Sequence, residues 1–115
     1  MNNAYIPRYR NKSTLGKEFV NSEKIMRIVE EYFEIDRPTI LMRTKKIAVA
    51  YPRQVCIHLL AKHSVHSLRG IAVIFGFKDS GSAFQADKAI RDYLDTDDEV
   101  RKQIAEIEAL INPKQ

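Results

Sequence analysis

An all-α fold of about six helices is what this sequence predicts, and three observations carry the prediction. Apolar residues recur at three- and four-residue intervals in several separate windows. No window alternates apolar and polar residues at period two, as a half-buried strand would. Between the periodic windows stand residues that start or stop helices, such as Asp36-Arg37-Pro38, Ser67, Gly76 and Asn112-Pro113. At 115 residues the chain has room for one domain.

The elements follow in order. Residues 1–20 read as a flexible basic arm, with Arg8, Arg10, Lys12 and Lys17 interleaved with Tyr5 and Tyr9 and no surviving period. Residues 21–115 read as the folded domain. Ile25, Ile28, Val29, Tyr32 and Phe33 lie on one face of a first helix from Ser22, which Asn21 or Ser22 can cap. Asp36 offers a new cap, and Pro38 suits the first turn of a short helix from Arg37 to about Met42. Arg43-Thr44-Lys45-Lys46 reads as a basic loop.

A helix from about Ala48 to His63 carries the apolar stripe Pro52, Val55, Cys56, Leu59 and Leu60. Ser67 caps a segment in which Leu68, Ile71, Ala72 and Phe75 share a face, and Gly76 is placed to end it. The turn Gly76-Phe77-Lys78-Asp79 leads to a helix from Ser80 to about Leu94, with Ala83, Ala86, Ile90 and Tyr93 as its expected core face. Thr96-x-x-Glu99 has the form of a capping box for the last helix, whose apolar side is Val100, Ile104, Ile107 and Ile111.

Charge gives the first functional clue. Of the net +4, residues 37–91 hold ten Lys/Arg against two Asp/Glu, and residues 92–115 hold three against seven. A basic middle segment is the footprint of a phosphate-binding surface. The single cysteine, Cys56, excludes an intrachain disulfide and suits a reducing, cytoplasmic setting. No apolar run approaches membrane-spanning length. His58, His63, His66 and Cys56 lack H-x-x-x-H or C-x-x-C spacing, so no metal and no other cofactor is expected. No nucleophile has a placed base, and an enzyme is not expected.

Two short helices joined by a Gly-containing turn form a helix-turn-helix pattern, here Leu68–Phe75 and Ser80 onward. On the face of the second helix opposite its core lie Gly81, Gln85, Lys88 and Asp92. Small residues at its first turn suit close approach to a major groove, where Gln85 can pair with an adenine edge. Lys88 can meet a phosphate or a guanine.

Longer motifs then align. Tyr51-Pro52-Arg53-Gln54, His66-Ser67-Leu68, Ile71-x-x-x-Phe75-Gly76-x-Lys78-Asp79 and Ala86-x-Lys88-x-Ile90 together resemble the C-terminal DNA-binding domain of the bacterial replication initiator DnaA. The resemblance covers roughly residues 22–94. It implies a Trp-repressor-like all-helical domain that binds double-stranded DNA, with the second helix of the helix-turn-helix in the major groove. It places Lys45, beside Lys46, where the family has a minor-groove arginine, and assigns Arg53, with Gln54, to phosphate contact. Lys78 stands for a family arginine, and Asp79 for an aspartate that accepts from a cytosine amino group. Leu68 and Arg69, opening the first helix of the motif, complete the expected DNA-facing set.

Departures fall where the family reads bases. Ser80, Gly81 and Ser82 replace His-Thr-Thr, and Phe77 replaces a glycine. The expectation is a nucleoid-associated DNA-binding domain with altered site specificity, a regulator of replication or transcription. The chain holds no G-x-x-x-x-G-K-[ST] loop, so no ATPase activity is expected of it. The alternative is an interaction module that keeps the fold and has lost specific DNA binding. It would use the Ile104, Ile107 and Ile111 stripe to reach a protein partner, although that stripe equally suits the domain's own core.

Overall fold

A computed structural model describes residues 19–113. Among the described residues the regular structure is all helical: α1 (Ser22–Phe33), α2 (Arg37–Ile40), α3 (Ile47–His63), α4 (Leu68–Phe75), α5 (Ser80–Thr96) and α6 (Asp98–Ile111). The arm expected over residues 1–20 lies outside the described residues except for Phe19 and Val20. There the Val20 amide donates to the His63 carbonyl at 2.8 Å.

Local signals set most helix ends. Asn21 accepts from the Glu23 and Lys24 amides at 2.8 and 3.2 Å. Asp36 accepts from the Thr39 amide at 3.1 Å, and Ser67 from the Gly70 amide at 3.2 Å. Each such cap contributes about 1 kcal/mol. Gly76 ends α4 at φ 73°, a left-handed conformation that favours glycine. The Phe77 amide then reaches back to the Ala72 carbonyl at 2.8 Å and closes the helix.

Four expectations are corrected at helix boundaries and faces. The short helix α2 stops at Ile40 rather than Met42. Helix α3 starts at Ile47, which puts Pro52 in its second turn. Ala48 is exposed there, so water can serve the carbonyl that Pro52 leaves without an amide partner. The Thr96 capping box is not formed. Helix α5 runs on through Thr96, whose hydroxyl donates to the Asp92 carbonyl, and Asp97 caps α6 by accepting from the Glu99 and Val100 amides. Tyr93 is 40% exposed. The seam of α5 that meets α3 is instead Ala83, Asp87 and Ile90, spaced four and three residues apart.

Helix α3 is the centre of the domain and packs against α5, α1, α2 and α4. Every residue from Val55 to Ala61 is buried, so this helix has no polar face over two turns. One of those residues is His58. Its Nδ1 lies 2.8 Å from Asp87 Oδ1, and Arg91 Nε donates to Asp87 Oδ2 at 2.9 Å. The Arg91 guanidinium also lies 5.9 Å from the centre of the Phe84 ring. A polar cluster around the buried Asp87 carboxylate therefore joins the central helix to α5.

Helix α6 buries Val100, Ile104, Ile107 and Ile111 and packs on α1 and α5. The stripe that the alternative reading offered to a protein partner is thus packed inside the domain. Polar contacts fasten it: Tyr32 Oη donates to Glu106 at 2.5 Å, and Tyr51 Oη to Gln103 at 2.8 Å. His63 and Lys62 converge on Glu108 at 2.7 and 2.6 Å. The hydrogen bond from His63, with Lys62 beside it, holds the Glu108 carboxyl down at about 2. A carboxylate with a depressed folded pKa stabilises the fold above its unfolded value, and that contribution disappears as pH falls through the folded one. Stability should therefore drop between pH 4.5 and about 2. Glu108→Gln should flatten that drop in acid-titrated urea melts. An identical acid profile for the variant would exclude the contribution.

Candidate nucleic-acid interface

The interface is built where the loop before α3, the middle of α3 and the start of α5 meet. Side chains on a helix lean toward its N-terminus. Arg53, in the second turn of α3, accordingly reaches back over the loop of residues 43–46. Its Nη1 donates to the Met42 carbonyl at 2.6 Å and its Nη2 to the Thr44 carbonyl at 2.8 Å. The flat guanidinium fork matches two carbonyls at once, which an ammonium group does not. Burial lowers the Arg53 pKa from its ordinary value, but a guanidinium stays charged at any relevant pH.

A second arginine ties the loop from its other side. Arg43 Nη2 donates to the carbonyl of Gly76, in the turn of the helix-turn-helix. Inside the loop, the Lys46 amide donates to the Thr44 hydroxyl at 3.2 Å. Lys45 and Lys46 keep their side chains exposed. No side chain caps α3, so its first amides stand beside these two lysines with the positive end of the helix dipole.

Helices α4 and α5 and the turn between them form the helix-turn-helix. Asp79 caps α5, with Oδ1 accepting from the Gly81 amide at 2.9 Å. A Cβ at position 81 would come within 3.0 Å of that same oxygen, so the cap and the glycine fit each other closely. Asp79 is thus a helix cap, and its carboxylate retains further acceptor capacity.

A groove of about 520 Å³ opens between α3 and the start of α5. Arg53 and Gln54 line one side, while Asp79, Gly81, Ser82 and Gln85 line the other. Phe77 and Ala86 supply apolar wall. A second cavity of about 280 Å³ adjoins on the loop side and includes Lys45 and Thr44. Arg53, Phe77 and Ser82 line both, which makes the two spaces one continuous surface.

The remaining expected residues divide. Lys78 is exposed in the turn, and Ser80 is half-buried as the first residue of α5. Lys88 is exposed and pairs with Asp92 at 2.9 Å, within its own helix. Arg69 is exposed on α4, away from the lining of either cavity. Leu68 packs against the core.

Two participants were not singled out from sequence. Arg43 counted only as one charge of a basic loop, and Phe77 only as the replacement of a glycine. The one signal for Phe77 was its size at a turn position where the family has no side chain. The histidines and Cys56 do not gather. His58 meets Asp87, His63 meets Glu108, and His66 Nε2 lies 3.3 Å from the Ser22 hydroxyl. Cys56 is buried, which pushes its thiol pKa up. Among the described residues no group of three or more potential ligands is formed, and no helix is long and apolar enough to cross a membrane.

Comparison with known families gives a match to the model described as bacterial dnaA protein helix-turn-helix, over residues 22–90.

Proposed function

The chain belongs to the family of bacterial DnaA helix-turn-helix domains, which bind DNA through that motif, and from this premise we propose how it engages double-stranded DNA. The start of α5 enters the major groove, and the loop of residues 43–46 meets the adjacent backbone and minor groove. The observation that carries this reading is the continuous surface joining Lys45, Arg53, Gln54, Ser82 and Gln85. Basic groups, small residues and an amide side chain there are the chemistry that a duplex edge requires.

Lys45 and Lys46 meet phosphates beside the uncapped start of α3, where helix amides favour an anion. Arg53 holds the loop that presents them. Asp79 accepts from a cytosine amino group with the lone pairs its cap leaves, and Gln85 pairs with adenine. Lys78 adds positive charge beside this centre, Arg69 adds it further out on α4, Lys88 reaches a phosphate by leaving Asp92, and Ser80, Gly81 and Ser82 let α5 approach closely.

Those three residues also change specificity. Each base interaction that His-Thr-Thr supplies in the family is worth about 1–3 kcal/mol of discrimination, and this chain forgoes it. The protein therefore does not share the initiator's preferred site, and it acts as a regulator of replication or transcription at sites of its own. A position on the nucleoid, in the cytoplasm, follows from that role.

Fluorescence anisotropy with a random duplex and a duplex carrying the initiator's box, at several salt concentrations, tests the proposal. Both should bind, with a log–log salt slope near −4.5 for about five phosphates. A box preference as strong as the initiator's would refute the altered specificity. No binding at low salt would refute DNA binding itself.

A further inference from the structure

We propose that Phe77 is a base-reading residue selecting thymine by its 5-methyl group; the inference rests on the DNA-binding reading above. Phe77 occupies the turn of the helix-turn-helix and is only half-buried. Its ring stacks on Phe75, with centroids 6.0 Å apart and planes at 23°, which fixes its orientation. It lines the groove at the start of α5 and also the cavity beside Lys45. A rigid aromatic surface therefore stands among the polar groups that face the duplex.

The rest of the groove leaves room for a base edge. Gly81 has no side chain and Ser82 a short one, so nothing large stands between Phe77 and the first turn of α5. Position 81 is also held small, because a Cβ there would press on the capping oxygen of Asp79 at 3.0 Å. Ala86 continues the apolar wall one turn further along the helix.

Of the four bases, thymine alone presents a methyl group in the major groove, and an apolar side chain is its natural partner. Polar groups in the groove do not recognise a methyl, and the Ala86 side chain is a single methyl, so the discrimination falls to the Phe77 ring. Gln85 lines the same groove and has the donor and acceptor pair that adenine N7 and N6 require. The groove thus suits a thymine beside, or paired with, an adenine. Family members with glycine at this turn position have no side chain to offer there, so this contact would be particular to chains carrying an aromatic residue.

The test removes the methyl group from the DNA and leaves the protein intact. A duplex selected from a random library by the full chain is remade with deoxyuridine replacing thymine, one position at a time. Burying one methyl is worth roughly a fourfold change in affinity. The wild-type chain should lose about that factor at one or two positions. Phe77→Ala should show no difference between thymine and uracil there, and Phe77→Leu, which keeps an apolar side chain and packs on Phe75, should retain part of it. Equal wild-type affinity for thymine and uracil at every position overturns this inference and leaves DNA binding standing. So does a uracil effect that survives in Phe77→Ala. Failure to select any duplex overturns both readings.

Discussion

Asp87→Ala should lower the unfolding free energy by about 3–5 kcal/mol, the usual effect of removing one partner from a buried ion pair. Asp87 is fully buried and His58 is 2% exposed, so water does little to replace the lost carboxylate. The carboxylate meets His58 through one oxygen and Arg91 through the other. Removing it leaves two nitrogen-rich side chains facing a gap between α3 and α5. For a domain of this size each kcal/mol moves the melting temperature by roughly 3–6 °C, so the variant should melt on the order of 15 °C lower. Replacing His58 and Asp87 by leucine and Arg91 by methionine together should recover much of the loss, because an apolar cluster of similar volume has no charge to desolvate. Urea melts of the three proteins decide this. A loss under about 1 kcal/mol for Asp87→Ala would mean that solvent reaches the cluster.

Arg53→Ala should weaken binding to every duplex, by about tenfold or more, the equivalent of about 1.4 kcal/mol. Two carbonyls hold this guanidinium at 2.6 and 2.8 Å, so the side chain shapes the loop as well as charging it. Arg53→Lys separates the two contributions. Lysine keeps the charge but has no fork for the Met42 and Thr44 carbonyls together. If positioning dominates, the lysine variant should bind nearly as poorly as the alanine variant, with a wild-type salt slope and normal melting. If affinity returns with lysine, Arg53 acts chiefly as a phosphate contact. Lys45→Ala should cost less affinity than Arg53→Ala and reduce the salt slope by about one unit.

Much of the fold was legible because most helices bury one face. Ile25 and Val29 in α1, Ile71 and Phe75 in α4, and Ile104, Ile107 and Ile111 in α6 lie on apolar stripes that their spacing reveals. Caps such as Asn21, Asp36 and Ser67 marked the starts. Helix α3 hid its role for the opposite reason. From Val55 to Ala61 it is buried all round, so spacing did not separate Ile57 and His58 from residues that face solvent. Asp87 was obscured by its own charge, since a carboxylate is expected outside unless a partner is known. Thr96 and Asp97 are adjacent acceptors, and only the two further residues of α5 decide which of them caps.

At the interface the chemistry was legible and the mechanics were not. Basic and small residues carry the expectation of a phosphate-facing surface in their own identities. Which arginine spends its hydrogen bonds on the protein itself depends on backbone carbonyls, at Met42, Thr44 and Gly76, and carbonyls carry no residue signature. Phe77 was visible only as the replacement of a family glycine, because its stacking on Phe75 and its place in the groove wall depend on the fold.

The bond from Arg43 to the Gly76 carbonyl sets the ruler of the binding site. Loop and second helix of the motif are anchored to one turn, so in the proposed complex their contacts on two grooves keep a fixed phase around the duplex. One inserted base pair advances the helix by about 3.4 Å and rotates it by roughly 35°. A tethered loop has no slack to follow that step. Sites for this protein should therefore tolerate changes of base more readily than changes of length.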